Sequence, residues 1–272
     1  MKADLHNHST SSDGILTPSE LLKYAKKKGV NIIAITDHDS VKALDEIKRN
    51  RLPIIIGVEL STYSKGENIH LLGYFIHNEI PSKMIETLDY YANKRKERAF
   101  EIIRKLKKYF NLELKYEDIS KFADGAIGRV HVAKALEEKY RIPFNDAFDR
   151  YIGDSCLAYV KTENLVFKDA VDLLHQNNAI AVLAHPVYIQ KNNLEDLIRQ
   201  GIDGIEAYYP SNTATDEKRF LKLAKKYKLL ITGGSDFHKY PENNDIKDLG
   251  YSTISNENLD LFLKKIEFEV KE

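Results

Sequence analysis

Asp4-Leu5-His6-Asn7-His8-Ser9-Thr10-Ser11-Ser12-Asp13-Gly14 is the stretch around which the rest of the chain is organised. A short strand delivers two histidines one residue apart, and an aspartate follows where the chain must turn. Alternate side chains of an extended segment share a face, so His6 and His8 can aim two imidazoles at one point. Imidazole suits zinc, iron, manganese and other divalent transition ions, and a carboxylate such as Asp13 shifts a site toward harder cations. Alone, the same stretch also reads as a polar turn whose histidines happen to be neighbours. The remainder of the chain decides between the two.

Moving outward, the pattern recurs. Thr17-Pro18-Ser19-Glu20 is a helix start with a threonine cap, proline at the first helical position and a glutamate to complete a capping box. The helix runs to about Lys28 and stops at Gly29. Asn31 to Thr36 is a buried apolar strand that ends in Asp37-His38-Asp39. A helix over residues 40–50 leads to a third strand, Pro53 to Val58, with Glu59 at its exit, and Ile69 to Phe75 is a further short strand carrying His70. These units set polar groups at one rim.

From Ser82 to Tyr109 the alternation gives way to a densely charged helical pattern. Further helices are expected over residues 116–122, 130–139 and 144–151, with turns at Asp124-Gly125 and Ile142-Pro143. Within this all-helical insertion, Gly128-Arg129-Val130-His131 opens a helix, where free backbone amides and the positive dipole end favour anions. Beyond it the α/β rhythm returns. A helix over 168–177 and the strand Ala179–Ala184 lead to His185-Pro186. A helix over 194–200, the strand Gly204–Tyr208 and a helix over 213–227 follow. Leu229 to Thr232 then runs into Gly233-Gly234-Ser235-Asp236-Phe237-His238, which repeats the alternate spacing of His6 and His8. Residues 249–254 and a helix over 257–266 finish the layer.

Lys plus Arg and Asp plus Glu both number 41, so no global charge attracts polyanions, and long nucleic acid is not the expected partner. A single cysteine, Cys156, excludes an internal disulfide and a cysteine-based zinc ribbon, so any metal must be held by His, Asp and Glu. A reducing, cytoplasmic setting is expected, and neither a leader nor a membrane-length apolar run is read in the chain.

The candidate metal ligands are His6, His8, Asp13, His38, Glu59, His70, His185, Asp236 and His238. Nearly all stand at the C-terminal ends of expected parallel strands, where barrel and open-sheet active sites lie. Each has a structural reading when taken singly: His70 as a satisfied core histidine, His185 as a turn residue before proline, Glu59 as a surface carboxylate. Together they exceed what one ion needs, so two to three divalent ions are expected. Closely spaced ions suit phosphoester hydrolysis, because they lower the pKa of a bound water and stabilise both the phosphoryl and the leaving oxygens. The chain has no serine nucleophile elbow and no GxxxxGK[ST] phosphate loop to compete with that reading.

Asp4-Leu5-His6-Asn7-His8-Ser9 with Ser12-Asp13-Gly14, Thr36-Asp37-His38-Asp39, Gly57-Val58-Glu59, His70-Leu71-Leu72-Gly73-Tyr74, Ala184-His185-Pro186 and Gly234-Ser235-Asp236-Phe237-His238 resemble the motifs of the PHP (polymerase and histidinol phosphatase) superfamily. They occur in order across almost the whole chain. The resemblance implies an α/β fold, a distorted (β/α)7 barrel, with residues 1–79 and 160–272 as catalytic barrel and residues 80–159 as helical insertion and substrate cap. It implies a trinuclear site of manganese, iron or zinc. His6, His8, Glu59 and Asp236 would hold one ion, Asp13, His38 and His238 a second, and Glu59, His70 and His185 a third.

The insertion and the Gly-Arg-Val-His segment are most similar to the nucleotide-directed branch, which implies that Arg129 and His131 contact substrate phosphate; by position alone they also read as an exposed arginine and a helix-start polar residue. The expected activity is hydrolysis of a terminal phosphate of a 3′,5′-nucleoside bisphosphate such as adenosine 3′,5′-bisphosphate, or action at the 5′ end of a short oligoribonucleotide, through a metal-bridging hydroxide. The expected partners are that small substrate alone, with no membrane and no obligate protein. The chain departs from the branch at residues 239–245, where a shorter turn is usual. Two rivals remain: histidinol-phosphate phosphatase, the same chemistry on a smaller amine, and a non-catalytic, metal-stabilised binding module, which a depleted ligand set would favour.

Overall fold

The computed structural model describes residues 1–122, 127–161, 165–242 and 248–269. The turn expected at Asp124-Gly125 and part of the 239–245 loop, from Asn243 onward, lie outside the described residues. Two compact units make up the chain: Met1–Ile85 with Asn164–Glu272, and Glu86–Glu163.

Among the described residues, the first unit is built on nine strands: β1 (Lys2–Asp4), β2 (Ile32–Ile35), β3 (Ile55–Ser64), β4 (Glu67–Phe75), β5 (Leu165–Val166), β6 (Ala179–Leu183), β7 (Gly204–Tyr208), β8 (Leu230–Gly233) and β9 (Ile254–Ser255). They are ordered β8-β7-β6-β4-β3-β2-β1-β9, with β5 added alongside β3. Beyond its last residue β8 meets the chain leaving β1. Leu5 donates to the Gly233 carbonyl at 3.0 Å, Asp236 to the His6 carbonyl at 2.9 Å and His8 to the Phe237 carbonyl at 2.9 Å. The seven strands from β8 to β1 thereby form a distorted barrel. Closure is tight: a Cβ on Gly234 would lie 2.2 Å from that of His6, so only glycine fits.

One expectation is corrected. Glu59 does not end its strand, and the chain does not cross over after it. β3 continues through Leu60, Ser61 and Thr62 to Ser64 and turns back at Lys65-Gly66, both with positive φ, into an antiparallel β4. Two left-handed residues are the turn a twisted two-residue hairpin requires. Every other neighbouring pair in the ring's strand ladders is parallel except β4 with β6. β4 thus enters at the rim where its neighbours leave, and His70 reaches that rim from the beginning of its strand. The two-residue β5 was not legible as a strand in the sequence.

The interior follows the alternation of the strands. Ala3 and Leu5, Ile32 and Ala34, Leu72 and Tyr74, and Ile180, Val182 and Ala184 belong to one buried cluster. The helix Asn256–Ile266 adds Leu259, Phe262 and Ile266 to it, with Phe262 edge-on to Tyr74 at 4.9 Å. Glu59 opposes Leu72 and Ser61 opposes His70. Cross-strand partners share a face, so the polar pair continues the interior surface up to the rim. The first helix, Pro18–Lys27, carries the expected capping box: Thr17 accepts from the Glu20 amide and Glu20 accepts from the Thr17 amide.

The second unit is helical and has its own core. The helix Ser82–Phe110 continues into it and is followed by Tyr116–Ser120, Arg129–Tyr140 and Phe144–Ala147, the last extended by a wider turn over Phe148–Ile152. Ile102, Leu106, Ile119, Leu136 and Ile152 are buried together. Among the described residues, no helix is long and apolar enough to cross a membrane.

Candidate metal centre

The nine expected ligands come together at one rim of the barrel, and Glu59 stands at their centre. Its Oε2 lies 3.2 Å from His6 Nε2, 3.1 Å from His8 Nε2 and 3.1 Å from His38 Nδ1. Its Oε1 lies 2.8 Å from His70 Nδ1 and 2.9 Å from His185 Nε2. Asp236 Oδ1 faces His6 Nε2 at 3.3 Å and His8 Nε2 at 3.0 Å. Asp13 reaches His238 Nε2 at 3.3 Å and His8 Nδ1 at 3.6 Å.

Local backbone explains how each strand exit presents its group. β2 and β3 keep pairing past the end of β2 through a bridge between His38 and Glu59, which brings His38 beside the carboxylate. Asp39 then takes a positive φ and accepts from the amide and hydroxyl of Ser61, fixing the turn. His185 and Asp236 also have positive φ directly after β6 and β8. Such backbone is held only where its surroundings over-determine it.

Three overlapping groups of ligand atoms could each hold an ion: His6, His8, Glu59 and Asp236; His8, Asp13, His38 and His238; and His38, Glu59 and His70. The first coincides with the expected set, and the second is the expected set with His8 added. In the third, His38 stands where His185 was expected, although His185 touches the same Glu59 oxygen as His70. His6 Nε2, His8 Nε2, His38 Nδ1, Glu59 Oε2 and Asp236 Oδ1 are buried without a hydrogen-bond partner. A buried polar atom left unpaired costs about 1–3 kcal/mol, so five that converge are stable where a cation satisfies them. The donor set of imidazole and carboxylate fits divalent ions.

Electrostatics agree. Burial works against ionising Glu59 and Asp236, but the surrounding imidazoles outweigh it and hold both carboxyls well below their ordinary range. Burial likewise opposes a charged His8, yet Asp236 and Glu59 raise it to about 10. His38 goes the other way: burial, reinforced by His8 and His70, takes it down to about 4 against the pull of Glu59. The cluster therefore offers ionised carboxylates and concentrates demand for positive charge at one place.

Three supporting residues were given no role in the sequence reading, although Asp37 lies within one of its motifs. Glu206, fully buried in β7, pairs through Oε1 with His6 Nδ1 at 3.0 Å and through Oε2 accepts from the His185 amide at 2.7 Å. A second carboxylate behind a metal-facing histidine fixes its ring and tautomer. Asp37 accepts from the Ser9 amide at 2.7 Å, from the Ser9 hydroxyl at 2.6 Å and from the Ser12 hydroxyl at 2.6 Å, shaping the loop that carries Asp13. Tyr209 donates to Asp236 Oδ2 at 2.8 Å. The available signal was the lone glutamate in Gly204-Ile205-Glu206-Ala207-Tyr208, since a charge inside an apolar strand must be paired.

In the second unit the helix expected at Arg129 begins there. Arg129 pairs with Asp154 at 2.5 Å, and its guanidinium lies over the Phe148 and Tyr159 rings. His131 is buried, and its Nδ1 accepts from the Gly128 amide at 3.0 Å, so that nitrogen is committed to the helix cap. Arg98 donates through Nε to the Val160 carbonyl, while its Nη2 is buried without a partner. Burial, then Arg129, bring the Arg98 guanidinium down to about 10. Lys94, Arg95, Arg98 and Lys161, together with Glu97 and Glu101, line a cleft of about 270 Å³ in which positive groups outnumber negative ones.

A PHP domain model matches residues 4–151. A 5′-3′ exoribonuclease of Haemophilus influenzae is 35% identical over 249 residues, covering 87% of this chain and 90% of the relative. A 3′,5′-nucleoside bisphosphate phosphatase of Chromobacterium violaceum is 29% identical over 269 residues, covering 92% and 90%. Among solved structures, a candidate metal-dependent phosphoesterase from Bifidobacterium adolescentis superposes with a TM-score of 0.80 at 24% identity, over 97% of this chain and 96% of that one, and shares the fold. The chain belongs to the PHP domain family, and it is a metal-dependent phosphoric ester hydrolase.

Proposed function

We propose that this PHP-family enzyme hydrolyses a phosphoester of a small nucleotide: the terminal phosphate of a 3′,5′-nucleoside bisphosphate such as adenosine 3′,5′-bisphosphate, or the equivalent linkage at the 5′ end of a short oligoribonucleotide. The observation that carries the reading is the convergence of the nine candidate ligands at one rim, five of the histidines lying directly against Glu59. The names of the two relatives supply the substrate class. The two substrates share a chemical element, a 5′-phosphorylated nucleotide whose next phosphoester is the one cleaved.

His6, His8, Glu59 and Asp236 would hold one ion, Asp13, His38 and His238 a second, and Glu59, His70 and His185 a third, giving two to three ions of manganese, iron or zinc. When bound, they supply an acidified water and a clamp on the phosphoryl oxygens. Glu206 keeps His6 turned toward the centre, and Tyr209 keeps Asp236 in place. In the hydrolysis the oxygen of water bonds to phosphorus as the ester P–O bond breaks, and a proton of that water ends on the leaving oxygen.

Residues 80–159 would act as the substrate cap. Arg129 would contact substrate phosphate, helped by the cationic cleft around Arg98 in the same unit. A bidentate guanidinium suits a phosphate better than an ammonium does. His131 would assist from its Nε2 side, its Nδ1 being held by Gly128. A cytoplasmic setting accords with the lone thiol of Cys156.

The test is turnover by manganese-reconstituted protein on adenosine 3′,5′-bisphosphate, 5′-phosphorylated trinucleotide RNA and histidinol phosphate side by side, reading phosphate and mononucleotide separately. Release from either nucleotide substrate is expected. Preference for histidinol phosphate would replace the reading, and bound metal with no turnover on any of the three would end it.

A further inference from the structure

The geometry points to Tyr188 as the stacking platform for the nucleobase of the substrate. β6 ends at Leu183, and after His185 the chain makes a single tight turn, Pro186–Tyr188. That turn holds the Tyr188 ring 5.6 Å from the His185 imidazole and 5.7 Å from the Tyr209 ring, edge to face at 83°. Its hydroxyl is bonded to Ser211 Oγ at 2.8 Å. Tyr209 is in turn fixed by its hydroxyl to Asp236. The ring is thus tied at its tip and packed against two neighbouring rings, yet 53% of the residue is exposed.

An exposed tyrosine is ordinarily free to change rotamer, and ordering it on a ligand costs entropy. Here that ordering is already in place, which makes the open part of the ring an inexpensive surface for a flat, apolar ligand group. Its hydroxyl is held by Ser211, and the exposed remainder of the residue is the aromatic ring. A nucleotide whose scissile phosphate is held at the ligand cluster on the His185 side carries its base one sugar away, and Tyr188 is the ring that adjoins His185 there, 5.6 Å between centroids. Stacking tolerates any base, as an enzyme that takes successive nucleotides requires.

This inference rests on the nucleotide reading above. The experiment compares adenosine 3′,5′-bisphosphate with its abasic counterpart, 1,4-anhydroribitol 3,5-bisphosphate, in the manganese-loaded wild type and in Tyr188→Ala and Tyr188→Phe. The quantity read is the ratio of kcat/KM for the two substrates. Stacking is worth roughly a five- to hundredfold factor per base. We expect the alanine variant to lose at least about fivefold of this preference, through KM for the adenosine compound, and the phenylalanine variant to keep it within about twofold. A ratio unchanged in Tyr188→Ala, or lost equally in Tyr188→Phe, overturns the platform while leaving the proposed function standing. A wild type that turns over neither compound overturns the platform as assigned to the bisphosphate, and one that also leaves 5′-phosphorylated trinucleotide RNA uncut overturns the function with it.

Discussion

The Nδ1 of His6 lies 3.0 Å from Oε1 of Glu206, and both residues are completely buried. The contact leaves only Nε2 to face Glu59 and Asp236, so the ring is directed before any ion arrives. Glu206→Gln keeps the shape and removes the charge behind the imidazole. We expect metal affinity to fall about 10- to 100-fold, read by competition with a chelator. Unchanged affinity would reduce Glu206 to a strut for the His185 amide.

Glu59 belongs to two of the three ligand groups, whereas Asp13 belongs to one. Glu59→Ala is therefore expected to retain fewer equivalents of metal than Asp13→Ala, as counted by elemental analysis after dialysis. Both variants, and His238→Ala, should lose phosphoesterase activity by at least about a thousandfold while keeping their circular dichroism. Equal metal loss from the Glu59 and Asp13 variants would argue against a shared central carboxylate.

Asp248 accepts from the Tyr24 hydroxyl at 2.7 Å and pairs with Lys28 Nζ at 2.6 Å. Burial, the largest influence, opposes its ionisation, but Lys28 and Tyr24 outweigh it and hold the carboxyl below its ordinary value. A depressed folded-state pKa means stability present in full above the unfolded value, near 4, and lost as pH falls through the folded value. Asp248→Asn should cost about 1 kcal/mol near neutral pH. In urea titrations the gap to wild type should narrow as the pH falls below the ordinary aspartate range and the carboxylate is protonated in the folded state as well. A gap that persists in acid would assign the loss to packing.

The inserted unit has a separate core, in which Leu136 is fully buried. Leu136→Ala should cost about 2–5 kcal/mol. Because the barrel strands pack on a different cluster, the loss should be local: amides of residues 129–140 should exchange faster while those of β3, β4 and β6 keep their protection. Uniform loss of protection across both sets would show the two cores to be energetically one.

Most of the ligands were legible because they follow an apolar strand, where a charged or imidazole side chain has no packing reason to be; Glu59 and His70 lie within strands and were legible from the polar company they keep. Glu206 was not, since it stands alone in an apolar strand and its partners are distant in sequence. The reversal at Lys65-Gly66 was missed for a related reason. Glu59 was read as a strand exit because it is polar, when its neighbours Leu60, Ser61 and Thr62 continue the alternation of a strand one face of which is the site itself. Helix positions in the insertion were clear from periodicity, but the commitment of His131 Nδ1 to its own helix cap depends on a backbone amide that no pattern of side chains reveals.

The barrel is fastened by residues 233–237 laid against residues 5–8. A chain made from its N-terminus shows the ribosome exit an open strand edge for most of its synthesis, with His6 and His8 already present and Asp236 and His238 still to come. Sealing that edge and completing the ligand set are then a single late event. A polypeptide that stalls short of Gly233 would carry an unpaired edge, prone to pair with another chain, and would be unable to assemble either ligand group that draws on the final loop. Ion retention by those two groups in nascent or truncated products should therefore mark the moment at which the fold closes.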